Sequence, residues 1–571
     1  MTDPSTADHE QPDLFASDSD NQPVETRDLS RQQHAGLDVA DCSTDDKRAA
    51  RTRNSMLWAA YGDALGFISE LVDCKRLEQR THGAPLDHLM DWQRRVGGKS
   101  GVNVTLPAGC WSDDTQLRMA VSRSIGNHGF DIDTFSQIEL PVWLSYALGG
   151  GRASKAAAMN LGKPRTLWYA NTFRGWTSAG GNGAAMRIQP HVWASPDLEG
   201  GYLNDVIANS VCTHGHPRAI VGACFHAETL AHCLRYGTVP DPETCVNIAG
   251  RIGVKALRLI EEHAILGSIW IDLWDQAIGE RFGDTWRKTV DELIGAIGAV
   301  AEITATLETS YPEIVARLGL KSPKQQGSGI LTTVAAVAAA ATASKAHEGV
   351  VVAANAIGTD TDTIATMVGA LVGACDAAAD PPEKPLDSEY LLQEAERLTA
   401  ISLGHRVESH RYPDILTWTA PRTQADALVN DNGALAVEGL GPATQLAESA
   451  IYTPRKDFAW EWVKAHFGQT LLIKRRPQII FLEAGNKFTP PQPPRKRDTN
   501  RLAKPDSRDE RKLKPIPLDR GIKVDDAIEY AKEQIFDDAA LGYTVRRVAR
   551  DGTIADLAAL VTDLRDDLRQ T

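Results

Sequence analysis

Two short acidic segments contain the side chains of this chain that are best suited to chemistry. The first is GTDTDT at 358–363, where Asp360 and Asp362 alternate with three threonines and precede a run of small apolar residues. Carboxylates at the start of a buried helix are costly unless a cation or a ring of donors neutralises them. The segment therefore predicts a hard-cation site, although a helix cap has a similar composition.

The second segment has the same mixture of acids and hydroxyls. Ser112, Asp113, Asp114 and Thr115 precede a helix-period run that extends to Ile125. A serine before a helix with acids in its first turn is a common N-cap, so an ordinary cap explains much of this pattern. A cap does not require two adjacent aspartates between two hydroxyls. We predict that the two segments meet across one site and hold a pair of hard cations.

A third acidic feature is YGDALGFISE at 61–70, which contains Asp63 and Glu70. In a helix these two acids share a face, and such a face suits a core helix only if it looks into a polar site. The alternative is an ordinary amphipathic first helix with two exposed acids. The segment alone leaves both interpretations open.

Glycine-rich and histidine-containing segments lie between the acidic ones. They are SAGGNGAAMR at 178–187, THGHP at 213–217 and QGSG at 326–329. Glycine lets backbone N–H groups approach a ligand closely, and a following helix start favours a phosphate. Zinc at His214 and His216 is disfavoured because no Cys/His set at ligand spacing accompanies them. A ligand contact and a structural turn both stay open for these histidines.

The elements that must position these residues are mainly helices. Apolar residues at three- and four-residue spacing predict a large all-α domain over 49–404. Short aromatic and β-branched runs predict a small α+β or irregular accessory module over 405–489, and two helix-period segments predict a helical tail over 521–571. The Asp- and Ser-rich start, 1–48, is typical of a disordered tail, and the Pro-, Lys- and Arg-rich 490–520 is typical of an extended linker.

Composition limits the class of protein. The 571 residues carry a formal net charge of -14, which favours a soluble protein and argues against a general nucleic-acid-binding surface, while leaving room for a local basic patch. Eight scattered cysteines without a CxxC pair favour a reducing, cytoplasmic location. The apolar runs are too short to span a bilayer, so no membrane contact is expected. A partner protein could bind the C-terminal region or the acidic N-terminal tail, but solvated extensions are favoured.

Taken together and in this order, the blocks GDALGFISE, SDDTQ, GNGAAMR, THGHP, GSG and GTDTDTIA resemble the ADP-ribosylglycohydrolase family over residues 52–404. The resemblance implies a large orthogonal helical domain. It also implies a hydrolase that cleaves an N- or O-glycosidic bond at the proximal ribose. The released ADP-ribose would come from a modified protein, nucleic acid or small molecule.

Residue by residue, the resemblance implies two Mg²⁺ ions, with Mn²⁺ as an alternative. Glu70 matches the acid that activates or positions water, and with Asp113 and Asp362 it forms the expected catalytic set. The chain departs from the family pattern at Thr359, where a glycine is usual, and the module after residue 405 lies outside the family core. The implied metal ligands are Ser112, Asp113, Asp114, Asp360, Asp362 and Thr363, and the implied substrate contacts are Asn182, Gly183, His214 and Gly358.

Two alternatives accompany this interpretation. DTDTI at 360–364 approximates the DxDx[TV] start of haloacid-dehalogenase-like phosphatases, whose first Asp follows an apolar β-strand. The preceding VVAANAIG at 351–358 is too rich in Ala and Asn for such a strand. The other alternative is a non-catalytic, immunity-type module that binds ADP-ribose or a toxin. Its expected mark is the loss of a metal ligand, and this sequence has lost none.

Overall fold

The computed structural model describes residues 45–164, 166–305, 310–376, 378–415, 417–446, 450–488, 524–533 and 554–568, with several positions between 541 and 548. The chain divides into two compact units at Pro491. Of the acidic tail predicted at 1–48, only 45–48 are described, and they start a helix; the linker predicted at 490–520 lies outside the described residues. The domain bounds drawn from the sequence stay predictions.

Helices dominate the first unit, which confirms the predicted fold class. Helices α8 and α9 are separate because Pro217 begins α9, and the His216 side chain caps α9 by accepting the Arg218 N–H at 3.1 Å. The helices of this unit are α1 (Asp45–Ser69), α2 (Cys74–Thr81), α3 (Asp113–Arg123), α4 (Ile132–Thr134), α5 (Leu140–Trp143), α6 (Arg152–Leu161), α7 (Gln189–Trp193), α8 (Leu203–Val211), α9 (Pro217–Tyr236), α10 (Pro242–Glu262), α11 (Ile271–Ile278), α12 (Phe282–Thr304), α13 (Tyr311–Arg317), α14 (Gly329–Thr342), α15 (Ala346–Ala354), α16 (Thr361–Gly373) and α17 (Ser388–Ser402).

The helix pair α1 and α16 forms the centre of this unit. Every residue of α16 is buried. The two helices approach closely because glycines face the neighbouring backbone: a Cβ on Gly62 would lie 2.2 Å from the Ala365 carbonyl oxygen, and one on Gly369 would lie 2.1 Å from that of Trp58. The small-residue run after the GTDTDT segment is therefore a helix that packs backbone to backbone against α1.

Small hairpins interrupt the helical unit, and the sequence did not predict them. Strands β1 (Trp92–Val96) and β2 (Val102–Leu106) pair antiparallel, with Trp92 opposite Leu106. Gly97 follows β1 with a φ of 80°, a conformation that favours glycine. A second hairpin, β3 (Ile125–Gly126) with β4 (Gly129–Phe130), is only two residues deep.

Seven strands between residues 428 and 481 form a sheet that shares the hydrophobic core of the helical part. The strand order is β10-β9-β7-β6-β5-β11 with β8 paired to β9, and all pairs are antiparallel except β11 with β5. The Lys474 N–H donates to the Ser145 carbonyl at 2.8 Å, which ties β10 to the segment after α5. The strands are β5 (Leu428–Asp431), β6 (Ala434–Val437), β7 (Gly441–Gln445), β8 (Ile451–Tyr452), β9 (Ala459–Ala465), β10 (Thr470–Arg475) and β11 (Ile480–Phe481).

In the described part of the second unit, two of the helical segments lie where the sequence predicted helices. They are α18 (Val524–Glu533) and α19 (Ile554–Leu568). Their apolar faces share a small core that includes Ile528 and Leu560. Throughout the described chain, every helix falls short of the length and apolar character that crossing a bilayer requires.

Candidate active site

One large cavity in the helical unit collects the acidic segments and the glycine-rich loops. Its volume is about 840 Å³. The side chains of Asp113 and Asp362 are 4 % and 2 % exposed, so both acids are almost fully buried at this cavity. The predicted meeting of the two acidic segments therefore occurs in space. The lining residues that come from the acidic segments are Glu70, Asp113, Asp114, Asp360, Asp362 and Thr363.

Three of these acids point carboxylate oxygens at one another. One oxygen each from Glu70, Asp360 and Asp362 lies within 4.8 Å of the other two. Like charges at this separation repel unless a cation or a proton is present. Among the described residues this is the one such cluster with the spacing of a metal site.

Asp63 holds the second acidic segment in place from α1. Its Oδ1 accepts the Ser112 N–H at 3.0 Å and its Oδ2 accepts the Thr115 N–H at 2.8 Å. Ser112 is itself the N-cap of α3 and accepts the Asp114 N–H at 3.1 Å. The cap interpretation is thus correct for Ser112, and the same cap presents Asp113 and Asp114 to the cavity.

Glu70 follows the last residue of α1 and is held by the unpredicted hairpin. Arg94 on β1 donates from Nη1 to Glu70 Oε2 at 3.0 Å, and its guanidinium lies over the Phe67 ring at 4.2 Å. Both partners of this pair are largely buried. The pairing leaves the other oxygen of Glu70 for the acid cluster.

The glycine-rich loops are pinned to the first acidic segment, 358–363. Asn182 donates from Nδ2 to Asp360 Oδ2 at 2.9 Å, and its backbone N–H donates to the Gly327 carbonyl at 3.0 Å. A Cβ on Gly183 would lie 3.0 Å from both the His214 ring and the Ser154 hydroxyl, so a residue without a side chain is needed there. Backbone of both loops consequently faces the cavity.

Arg187 connects these loops beneath the cavity. It is fully buried and donates to the Gly183 carbonyl at 2.7 Å and to Thr213 Oγ1 at 2.7 Å. Thr213 Oγ1 lies 2.8 Å from His214 Nδ1. Burial, with the nearby Arg187 charge, lowers the pKa of His214 to about 3, so this imidazole is neutral at the cavity wall.

Burial dominates the electrostatics of the acids. It raises the pKa of Asp113 to about 8, with further upward contributions from the charges of Glu70 and Asp63. Burial also raises the pKa values of Asp114 and Asp362 well above their usual range, and neighbouring carboxylates add to both shifts. Unneutralised, the cluster would be partly protonated at neutral pH.

The donor set fits a hard divalent cation. Asp114 Oδ1 is buried without a hydrogen-bond partner among the described residues, and buried carboxylate oxygens are normally satisfied. Carboxylates and hydroxyls are the ligands that Mg²⁺ and Mn²⁺ prefer. The residues present therefore suit such an ion better than zinc, which takes histidine and cysteine ligands.

Two of the predicted site residues do not line the cavity. Ser112 is buried behind it, with its hydroxyl donating to Asp114 Oδ2 at 3.2 Å. Gly358 is exposed in the turn before Asp360, with a φ of 90° and Lys321 as its nearest side-chain neighbour. Their roles as metal ligand and substrate contact stay predictions; Asn182, Gly183 and His214 do line the cavity.

Sequence reasoning did not assign functions to several residues that organise the site. Asp63 was recognised as an acid on the face of Glu70, but not as the residue that fixes α3. Arg187 lies in the block GNGAAMR, where an arginine among small residues was an available signal. Arg94 had no such signal, because its role depends on the hairpin.

The segment before Asp360 bears on the phosphatase alternative. Residues Ala346–Ala354 form helix α15 and are followed by a turn. A haloacid-dehalogenase-like phosphatase requires an apolar strand before Asp360, and this chain has a helix and a turn there. The phosphatase alternative is therefore excluded.

Comparisons with known proteins identify one family. A family model described as ADP-ribosylglycohydrolase matches residues 44–408, more than half of the chain. Among solved structures, a chain of an "ADP-ribosylglycohydrolase-related protein complex" matches with a TM-score of 0.41 and 20% sequence identity, covering 62% of this chain and 99% of that chain. The search of curated proteins found no match.

Proposed function

This chain belongs to the ADP-ribosylglycohydrolase family, and on that premise we propose that it is a metal-dependent hydrolase that releases ADP-ribose from a modified target. Hydrolysis of ADP-ribose linkages is the reaction class that the family supports. We further propose that the reaction depends on a divalent metal, that two ions take part and that the protein is cytoplasmic. The location is inferred from the scattered cysteines of the sequence.

One observation carries the proposal: the two acidic segments and Glu70 line the same cavity as the glycine-rich loops. The acids supply hard oxygen ligands, and the loops supply backbone and Asn182 amide groups. A volume of about 840 Å³ is large enough for a nucleotide-sized ligand. The acids that would take part in catalysis therefore lie next to the loops that would bind the nucleotide, as hydrolysis of a large sugar nucleotide requires.

The metal would be held by the carboxylates of the cluster. Asp360, Asp362 and Glu70 have the closest oxygens, and Asp113 and Asp114 complete the acidic wall. When bound, divalent cations would supply positive charge that orients ribose hydroxyls and lowers the pKa of water. The unpartnered Oδ1 of Asp114 supports this assignment.

Glu70 is the residue that we assign to proton transfer. Water attacks the anomeric carbon, its oxygen forms the new bond, and the carboxylate accepts the proton. The bond from the anomeric carbon to the target breaks, and the target atom leaves with the proton that Glu70 accepted from the water. Arg94 holds the carboxylate in one orientation through its 3.0 Å contact, which keeps the free oxygen directed at the cavity.

The remaining residues bind and orient. Asn182 positions Asp360 and places loop backbone along the cavity, and the neutral His214 gives an uncharged wall beside Gly183. The glycines admit a close approach of diphosphate oxygens to backbone N–H groups.

A substrate panel tests the proposal. The full chain is incubated with ADP-ribosylated arginine, serine and oligonucleotide substrates, with Mg²⁺, with Mn²⁺ or with excess chelator, and free ADP-ribose is measured. We expect release from at least one substrate with either ion and none with chelator. Binding of ADP-ribose without release from any substrate would favour the non-catalytic, immunity-type alternative.

A further inference from the structure

Two smaller cavities beside the acid cluster are lined by cations, which is unusual on a chain with a net charge of -14. One, of about 420 Å³, lies between the β1–β2 hairpin, the segment after α5, the start of α6 and the C-terminal sheet. Its charged lining residues are Arg94, Arg95, Lys155 and Lys474. The other, of about 310 Å³, is lined by Arg76, Arg80, His82 and two glutamines. Neither lining includes a described acidic residue.

Trp92 contacts one cation from each cavity. Arg80 and Arg94 both stack on the indole of Trp92, with guanidinium carbons 4.7 Å and 5.8 Å from the ring centroid. Arg94 is paired with the Glu70 carboxylate at 3.0 Å, and Arg80 donates to the Ile68 carbonyl at 2.7 Å, which holds the two guanidinium groups beside the same indole.

The larger of the two cavities borders the acid cluster. A Cβ on Gly149, which lines it, would lie 2.3 Å from Asp113 Oδ1, and one on Gly150, which lines the main cavity, would lie 2.8 Å from the Lys155 side chain. This turn and the Glu70–Arg94 pair lie at the border of the two spaces. A target attached at the acid cluster would have this cavity within immediate reach.

Three cations of the larger cavity are in no ion pair with the described residues: Arg95, Lys155 and Lys474. Arg95 donates to the carbonyls of Gly98 and Lys99, Lys474 Nζ lies over the Phe458 ring at 4.2 Å, and Lys155 acts electrostatically on Asp113. Lys474 and Trp460 come from the sheet, which lies beyond the 44–408 match, so one wall of this cavity is specific to the C-terminal part of the chain. Asp457 acts on Lys474 electrostatically but does not line the cavity.

We propose that the two cavities form a track for the phosphodiester backbone of a nucleic acid, and that the target of the enzyme is an ADP-ribosylated nucleic acid. Two neighbouring cavities that are lined by cations match a ligand with anionic groups at successive positions. A nucleic acid is such a ligand, because it carries one phosphate per nucleotide. Arginine guanidinium groups bind phosphate oxygens in a bidentate manner. The identity of the target rests on the proposed function, whereas binding of the backbone does not.

Binding of an unmodified oligonucleotide tests the track without catalysis. Fluorescence anisotropy of a labelled single-stranded DNA is followed with the full chain over a series of salt concentrations. For each phosphate that a variant no longer neutralises, the slope of log affinity against log salt should become shallower by about 0.7.

The double variant Arg95→Gln/Lys474→Gln should bind about tenfold more weakly at moderate salt, because two cationic groups are removed. Lys288→Gln, an exposed cation on α12 outside both cavities, is the matched control and should bind as the wild type does.

Each outcome supports or overturns the track. Equal affinity in the double variant and the wild type, with unchanged melting temperatures, would overturn it. A phosphopeptide that displaces the DNA at lower concentration than unlabelled DNA does would overturn it in favour of a protein target. With an ADP-ribosylated oligonucleotide, the double variant should show a raised KM and an unchanged kcat. Salt-dependent DNA binding without ADP-ribose release from any substrate would leave the track standing and contradict the proposed function.

Discussion

The carboxylate of Asp63 accepts the backbone N–H of Thr115, 52 residues away, at 2.8 Å. Its other oxygen accepts the Ser112 N–H at 3.0 Å. Both donors belong to the start of α3, where N–H groups have no partner within the helix. Asp63 thus fixes α3 against α1, and with it the direction in which Asp113 and Asp114 face.

Replacing Asp63 by asparagine should weaken the site without removing a ligand. An amide can accept from only one of the two N–H donors, and the loss of a buried charge-assisted hydrogen bond costs about 1–3 kcal/mol. We expect a lower melting temperature together with weaker Mg²⁺ affinity, both followed by thermal unfolding in a metal titration. Asp241→Asn is the matched control, because Asp241 caps α10 by accepting the Thr244 N–H at 2.7 Å far from the cavity. Unchanged Mg²⁺ affinity in Asp63→Asn would contradict the positioning role.

Asp360→Asn and Asp113→Asn should abolish metal-dependent release of ADP-ribose and leave the fold intact. Each removes one charge from a cluster whose members raise one another's pKa values. Without metal, both variants should be at least as stable as the wild type. At a Mg²⁺ concentration about 100 times Kd, the wild type should gain about 2.7 kcal/mol of stability, and the variants much less. Wild-type turnover in either variant would refute the metal assignment.

Glu70→Gln tests proton transfer. The amide keeps the size of the side chain but cannot accept a proton from water, and loss of a general base typically lowers the rate by about 10²–10⁴-fold. We expect kcat to fall in this range while KM changes little, measured by ADP-ribose release at saturating metal. If Glu70→Gln binds metal more weakly but keeps the wild-type kcat at saturating metal, Glu70 is a metal ligand and does not transfer a proton.

The sequence was sufficient for the main parts of the site. The unusual density of acids and hydroxyls at 112–115 and 360–363 predicted one shared site, and residues of both segments line the same cavity; their roles as metal ligands stay predictions. The helical character of 49–404 followed from apolar spacing. The order of the blocks then identified the family that the comparisons confirm.

The parts that were missed depend on tertiary contacts. The hairpin that carries Arg94 is short and alternates only weakly, and its strands contain two adjacent arginines. The C-terminal strands pair in an order that differs from their order in the chain, with β9 beside β7 and β11 beside β5. No local pattern encodes such neighbours, so the cation-lined cavities became visible only in three dimensions.

Acid should destabilise the protein through buried histidines such as His191. Burial, with the nearby Arg187 charge, lowers the pKa of His191 to about 3, and neither ring nitrogen has a hydrogen-bond partner among the described residues. Because the folded pKa lies below the unfolded value of about 6.5, the unfolded state binds more protons between these values, and stability falls as pH falls. The loss is about 1.4 kcal/mol per pH unit within that window.

His191→Leu should therefore flatten the decline of unfolding free energy between pH 6.5 and 5, measured by urea denaturation. The same substitution at the exposed His128 is the control and should keep the wild-type slope. Identical slopes in wild type and His191→Leu would show that other groups account for the acid sensitivity.

Overpacking the contact between α1 and α16 should lower stability at either end of α16. It should lower activity only at the end that carries Asp362. A Cβ on Gly66 would lie 2.4 Å from the Thr361 carbonyl oxygen and 2.6 Å from the Asp362 Cα, so Gly66→Ala must displace the start of α16. Overpacking of this kind typically costs about 1–3 kcal/mol. We expect a lower melting temperature and, because Asp362 moves, a loss of ADP-ribose release.

Gly369→Ala is the informative comparison, since its Cβ would meet the Trp58 carbonyl oxygen at 2.1 Å, about two helical turns from the acids. It should lower the melting temperature by a similar amount while retaining most of the activity. Gly298 on α12 has open space around its Cβ position, and Gly298→Ala should be neutral or stabilise by up to about 1 kcal/mol, because alanine is the better helix former. Thermal unfolding and ADP-ribose release, measured on all three variants, separate the loss of stability from the loss of activity. An equal loss of activity in Gly66→Ala and Gly369→Ala would mean that the packing of the whole helix pair limits catalysis, rather than the position of Asp362.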